Sequence, residues 1–447
     1  MNQGALTARD ALRATLGALT LISAVGCAPD GPEPGVPPTF EATHGALGQG
    51  QAQRAPRSTL LPSGAAERML QQACLPWRSV KGDWLSHGYG LALHASGDEF
   101  VIYDVSEHSC FEEFRGSLAD ACQPILNVDL GSAEEPSRAV LEASVFGPLM
   151  RVRDSGTVRY SFTRTPALPA PCRAGGTPPS ADPVQNFDLF WEHMNEHYAF
   201  FRLHGVDWRA AQARYRPMVT AATTEDELFR IMSEMLEPLR DYHVSLASET
   251  QRFSRPPPRD ISENIDGINA YLSENYLFAA GVTMTGNGRV FYRQLSADVG
   301  YVLILGMEGY ADADVLRTSE DAVRSEIELA GRAVDEAIAA LSAATSLIVD
   351  VRFNSGGEDA VSLALAGRFA DRTRLAWSKV ARSGEGYTLP ELFFVRPLGP
   401  TRFAGEVVVL TSQVTLSAAE TFVLAMRTLP HVTVLGERTA GAHSDVM

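Results

Sequence analysis

Three groups of residues in this chain have types and spacing that can do chemistry. Ser417-Ala418-Ala419-Glu420 lies between a run that reads as a strand and a run that reads as a helix. A serine at a helix N-terminus sits among free backbone N–H groups and a partial positive charge, which stabilise an oxyanion. As a nucleophile it needs a base within hydrogen-bond reach and a second N–H donor. The same four residues also spell a capping box, in which the hydroxyl only satisfies the helix's free N–H groups. Gly356-Gly357 follows another apolar run. Paired glycines let backbone approach a substrate and expose N–H groups, or simply make a tight strand-to-helix turn. The third group, His193-Met194-Asn195-Glu196-His197, reads H-x-x-E-H. In the inverted zincin pattern both histidines share a helix face and the glutamate is the base. The surrounding Phe187, Trp191, Met194 and Tyr198 fall at helical spacing, as ordinary packing would place them, so no metal is expected.

The elements that must position these residues change along the chain. Residues 66–165 read as a small β-rich domain. Tyr89 to His94 and Glu99 to Val105 are strands around a Ser96-Gly97-Asp98 turn, and Val145 to Val152 pairs with Thr157 to Phe162 around Asp154-Ser155-Gly156. Residues 166–183 are a Pro/Gly/Ala linker. Residues 184–250 are helical. Thr224-x-x-Glu227 caps a helix carrying Leu228, Met232, Met235, Leu236 and Leu239, which ends near Pro238 and runs into Arg240-Asp241-Tyr242-His243. Residues 251–294 connect to an α/β domain over 295–447. There Gly300 to Leu305, Ser346 to Val351, Glu406 to Thr411 and Val432 to Leu435 are strands, and residues 319–343 form a long amphipathic helix. Such alternation argues a parallel-type sheet, with chemistry at the carboxyl ends of its strands.

Composition bounds the function. The 447 residues are 45% apolar and 21% charged, ordinary for a folded protein. A net charge of −16 repels phosphate backbones, so nucleic acid is not an expected partner. Lysine occurs only at Lys81 and Lys379, which nearly removes a catalytic lysine. Arg9 and Arg13 precede an apolar stretch too short to span a bilayer, so residues 1–26 read as a secretory signal. Ala24-Val25-Gly26-Cys27 resembles a bacterial lipobox, with Cys27 as the lipidated residue and 27–65 as a flexible tether. A lipid-anchored protein of the bacterial cell envelope, at the outer membrane, is expected. In an oxidising compartment Cys74, Cys110, Cys122 and Cys172 are disulfide candidates, with three possible connectivities.

Taken in order, several segments from Asn186 onward resemble the tricorn-like and C-terminal-processing serine peptidases. They are Asn186 to Trp191 with Tyr198 to Phe201, Leu239 to His243, Gly300-Tyr301-Val302, Asp350 to Gly357, Ser417 to Glu420 and Gly436 to Gly441. The resemblance implies a ClpP/crotonase-like α/β catalytic domain after a small helical domain and the N-terminal β-rich domain. It implies Ser417 as nucleophile, His243 as base, and an oxyanion hole from Ala418 and one of Gly356 or Gly357. It implies a protein or peptide substrate, an acyl-enzyme endopeptidase, and no cofactor. Some relatives use a lysine about 25 residues after the serine. Here that place is Ala442, so the Ser/His style fits better. The glutamate that orients the histidine in that style is expected beyond Met447, with His443 as a weaker stand-in. If that third residue is lacking, the alternative is a non-catalytic peptide- or ligand-binding protein on the same fold. A zinc peptidase using His193, Glu196 and His197 is the third reading.

Overall fold

The computed structural model describes residues 79–118, 138–255 (except 154–156, 158 and 179), 280–312 and 322–443, with the strands 25–27 and 125–129 and four residues (267, 270, 271, 273) plus 274 between them. Eight strands come first: β1 (Gly82–Ser86), β2 (Leu91–Ser96), β3 (Glu99–Val105), β4 (Cys110–Leu118), β5 (Ile125–Asp129), β6 (Arg138–Phe146), β7 (Leu149–Arg153) and β8 (Arg159–Thr165). Each pairs antiparallel with the next, and β8 pairs with β1, so the sheet closes into a barrel without edges. Inward residues alternate along the strands, as Leu91, Leu93 and Ala95 do on β2. They meet Trp84, Phe100, Met150 and Phe162 in a filled core. The run Val145 to Val152 is not one strand. Gly147, at φ 63°, turns β6 into β7 as a hairpin.

One disulfide candidate pair is formed. Cys110, at the start of β4, bonds Cys172 in the helical turn Ala170–Arg173 of the linker. Thr177 adds two hydrogen bonds to Cys110, so the linker is pinned to the barrel. Cys74 and Cys122 lie outside the described residues. The bond closes a sequence separation of 62 residues, which the chain-entropy account values at about 4 kcal/mol. A Cys110→Ala, Cys172→Ala variant is expected to lower the urea midpoint of the barrel's unfolding, with a steeper slope because the released unfolded chain exposes more surface.

The helical segment contains α1 (Pro183–His197), α2 (Trp208–Tyr215) and α3 (Glu225–Leu236). Asp182 caps α1 by accepting from the Val184 N–H, and Thr224 and Glu227 form the reciprocal capping box of α3. Trp191 and Trp208 each donate an indole N–H to the other's carbonyl, locking α1 to α2. Phe187, Met194, Tyr198, Met235 and Leu239 are the centre of this core.

The last unit is built from β9 (Thr283–Thr285), β10 (Val290–Gln294), β11 (Val299–Ile304), β12 (Ser346–Asp350), β13 (Arg374–Ser383), β14 (Glu391–Val395), β15 (Glu406–Thr411) and β16 (Val432–Gly436). Its helices are α4 (Ala322–Ala340), α5 (Asp359–Ala366) and α6 (Ala418–Arg427). The main sheet runs β9-β10-β11-β12-β15-β16. The β11, β12, β15 and β16 pairings are parallel and the first two are antiparallel. The sheet therefore begins at Thr283, within the segment expected only to connect domains. β13 and β14 form a separate antiparallel hairpin that packs on α6 and α1. Val25–Cys27 pairs with β13. The α/β reading of this region holds, as a mixed rather than a purely parallel sheet.

Candidate active site

The carboxyl ends of β12 and β15 lie side by side, and the two loops that leave them are laced together. Asp350 is fully buried at the end of β12. Its carboxylate accepts from the Tyr301 hydroxyl at 2.7 Å and from the Arg352 guanidinium at 2.6 Å. The Ser412 hydroxyl donates to the Arg352 carbonyl, and Thr415 donates to the Val351 carbonyl at 2.9 Å. The Leu416 N–H donates to the Asn354 carbonyl at 3.1 Å. These bonds explain why the stretch Asp350 to Gly357 is rich in polar residues although it leaves a buried strand.

Ser417 follows, at the N-cap of α6, with φ 55° and ψ −123°. A non-glycine residue there carries backbone strain of about 1–3 kcal/mol, the geometry of a nucleophile held on a sharp strand-to-helix turn. Glu420, 2% exposed, gathers the surroundings of this turn. Its carboxylate accepts from the Ser417, Gly441 and Ala442 N–H groups at 3.0, 2.7 and 2.9 Å. His443 Nε2 lies 3.5 Å from the same carboxylate. The capping reading of Ser-x-x-Glu is thus right for the glutamate, and it is compatible with an exposed role for the serine.

The glycines divide in function. The Gly356 N–H donates to the Asn354 side chain at 2.9 Å, and its carbonyl accepts from the Met307 N–H at 2.7 Å. That N–H is committed, so Gly356 is not the free donor that the sequence allowed it to be. Among the described residues no hydrogen bond uses the Gly357 N–H or the Ala418 N–H. Gly356 has a spatial task instead. At φ 100°, a Cβ there would lie 2.8 Å from Ser417 Cβ and 3.0 Å from the Ala418 nitrogen. Gly356→Ala is expected to push the serine turn away and lower kcat/KM on a peptide by about 10²–10³-fold, comparable to losing an oxyanion donor. Steady-state kinetics beside a thermal melt would separate this from unfolding.

His243 is delivered by the helical segment. After α3, a turn of 3₁₀ helix (Glu237–Leu239) ends at Arg240 in a left-handed conformation, φ 51°. Asp241, 4% exposed, then accepts from the His243 N–H at 3.0 Å and from the Tyr198 hydroxyl at 3.0 Å. Burial and the Asp241 carboxylate push the Tyr198 phenol well above its ordinary value, so it stays a donor. His243 itself is half-buried. A cavity of about 360 Å³ opens alongside, lined by Leu236, Glu237, Arg240, Asp241, Val244, Phe253 and Arg255. The hydrogen bonds that lace Gly356, Asn354 and Ser417 lie in the loops that leave the sheet, whereas His243 is placed by Asp241 and, through it, by Tyr198 at the end of α1.

Two features had no signal in the sequence. Asn354 is fully buried, donates to the Ile304 carbonyl at 3.1 Å and fixes Gly356. Beneath the site, Lys379 Nζ pairs with Asp359 at 2.6 Å, and Asp359 also accepts from Thr421 at 2.8 Å. One of the chain's two lysines is therefore structural: it neutralises the first turn of α5. His193 and His197 are buried on one face of α1, toward the barrel, and Glu196 accepts from the Glu107 N–H at 3.1 Å. Cys27 is described only as part of a strand.

Comparison with known proteins agrees with this division. Residues 179–237 match the model of the tricorn protease C1 domain, and residues 298–446 match that of peptidase family S41. Among solved structures, a putative peptidase from Parabacteroides merdae is 29% identical over 59% of this chain and 78% of its own, with a TM-score of 0.48. The photosystem II D1 C-terminal processing protease is 15% identical over 59% of this chain and 83% of its own, with a TM-score of 0.33. The tricorn protease is 13% identical over 78% of this chain and 40% of its own, with a TM-score of 0.29. A helical segment of the tricorn C1 type therefore stands ahead of a region, residues 298–446, that matches the serine peptidases of family S41.

Proposed function

We propose that Ser417 and His243 carry the hydrolysis, on a ClpP/crotonase-like domain, in an endopeptidase that passes through an acyl-enzyme. Ser417 Oγ attacks the substrate carbonyl carbon while the His243 imidazole takes its proton. The Gly357 and Ala418 N–H groups donate to the oxyanion. Collapse breaks the C–N bond, and His243 returns the proton to the leaving amine. Water then attacks the ester, again with His243 as base, and releases the new carboxylate and free Ser417. The observation that carries this reading is the strained Ser417 backbone at a helix N-terminus beside two unclaimed N–H groups. A signal over residues 1–26 and lipidation at Cys27 would place the enzyme in the cell envelope, where its substrates are exported proteins or peptides. The test is hydrolysis of an unfolded protein substrate before and after stoichiometric modification by a serine-directed fluorophosphonate. Loss of hydrolysis in step with modification is expected. Hydrolysis that persists in fully modified protein overturns the proposal.

A further inference from the structure

The H-x-x-E-H stretch of α1 meets a third residue that its own sequence does not contain. Asp104, near the end of barrel strand β3, faces both histidines. His193 Nε2 and His197 Nδ1 are 3.3 Å apart. Carboxylate oxygens of Asp104 lie 3.4 Å from the first nitrogen and 3.8 Å from the second. A tetrahedral zinc ion with bonds of about 2.0–2.1 Å separates its ligand atoms by about 3.3–3.4 Å. The two imidazole nitrogens lie at that spacing, Asp104 turns a different oxygen to each of them, and one ligand atom from each residue lies within 4.8 Å of the others, brought together from two different parts of the chain.

The cluster is costly as it stands. Asp104 Oδ1 is buried and has no hydrogen-bond partner among the described residues, against two histidines that are 5% and 6% exposed. A buried carboxylate and two inward nitrogens have few protons to share, and a cation would satisfy all three. Burial disfavours the charged form of both imidazoles. Glu113 is the extra residue where β4 bulges opposite β3, and desolvation and the Asp104 charge together push its carboxyl up to about 7.

The surroundings hold the three groups in place. Glu192 accepts from the Ser106 hydroxyl and from the His108 N–H and imidazole, and Glu196 accepts from the Glu107 N–H. These bonds clamp the turn after Asp104 onto α1. The His197 imidazole also has a backbone hydrogen bond at Val105, the outer-shell contact that fixes a ligand's orientation. Gly90, at φ 66°, leaves its Cβ place to the His197 ring. Asp104 keeps 17% side-chain exposure, so the cluster is not fully sealed from solvent. Because Glu196 is engaged by the Glu107 backbone, the zincin arrangement with a glutamate base is not assembled.

We propose that Asp104, His193 and His197 form a structural site for a divalent transition metal, zinc by ligand type, that fastens the barrel to the helical segment. The test uses the full chain, stripped of metal and titrated with Zn²⁺ and, separately, with Co²⁺. The expected result is one equivalent bound, visible cobalt absorption of tetrahedral strength, and a higher Tm with zinc. His193→Gln with His197→Gln is expected to abolish the cobalt bands. Asp104→Asn, which keeps the shape, is expected to weaken zinc about 10–100-fold even if the double variant fails to fold. Equal zinc binding by wild type and Asp104→Asn, or no stoichiometric binding by folded wild type, overturns the site. Neither readout requires peptidase activity.

Discussion

Ser417→Ala is expected to lower kcat/KM on a peptide substrate by about 10⁴–10⁶-fold, because the covalent route disappears and only the oxyanion donors and substrate binding remain. The fold should survive. Ser417 is part of a cap whose main anchor is Glu420, and the three N–H groups that Glu420 accepts do not depend on the hydroxyl. The backbone offers a second readout. At φ 55° the serine is strained, and glycine is not. Ser417→Gly is expected to be equally inactive yet more stable than Ser417→Ala by about 1 kcal/mol. Denaturant melts of the two variants check this. A Ser417→Ala protein that keeps its peptidase activity would remove Ser417 from the chemistry.

His243→Ala is expected to cost a similar factor, on the order of 10⁴ or more, and to add little to the loss in Ser417→Ala, because nucleophile and base act as one unit. Non-additivity is the informative part. Two residues that merely supported the fold would multiply their losses. His443 provides the contrast. It lies 3.5 Å from Glu420, close to the serine turn, and has a buried Nδ1 with no partner among the described residues. If His443 were the base, His443→Ala would show the large, non-additive loss and His243→Ala would not. Kinetics of the three single variants and the two double variants with Ser417→Ala decide between them.

Local signals were readable where a short apolar run is bounded by turns. Glu99–Val105 and Glu406–Thr411 were legible to the residue, and the capping box of α3 was legible from Thr224 and Glu227. Closure of the barrel was not, because the pairing of β8 with β1 joins residues about eighty positions apart and leaves no local trace. The hairpin of β13 and β14 was hidden by Lys379, a charge at an inward position that breaks the apolar alternation of Trp377 and Ala381. β9 and β10 lay unread in the connecting segment, since three- and five-residue strands give weak patterns.

The site shows the same limit. Gly356-Gly357 and Ser417 announced themselves by type and by position after strands. Which glycine keeps a free N–H depended on Asn354, whose amide is one of several polar groups in that loop and carries no distinctive spacing. The H-x-x-E-H stretch gave its helix face from sequence, but its acidic neighbour Asp104 comes from another domain, some ninety residues earlier. Contacts assembled across domains are invisible to motifs read along the chain.

The most direct measurement is fluorophosphonate labelling of the purified full chain, with the modified residue located by mass spectrometry. The account predicts one label per chain, on Ser417, strongly reduced in His243→Ala and in Gly356→Ala. A cooperatively melting protein that takes no label, or takes it on another residue, contradicts it.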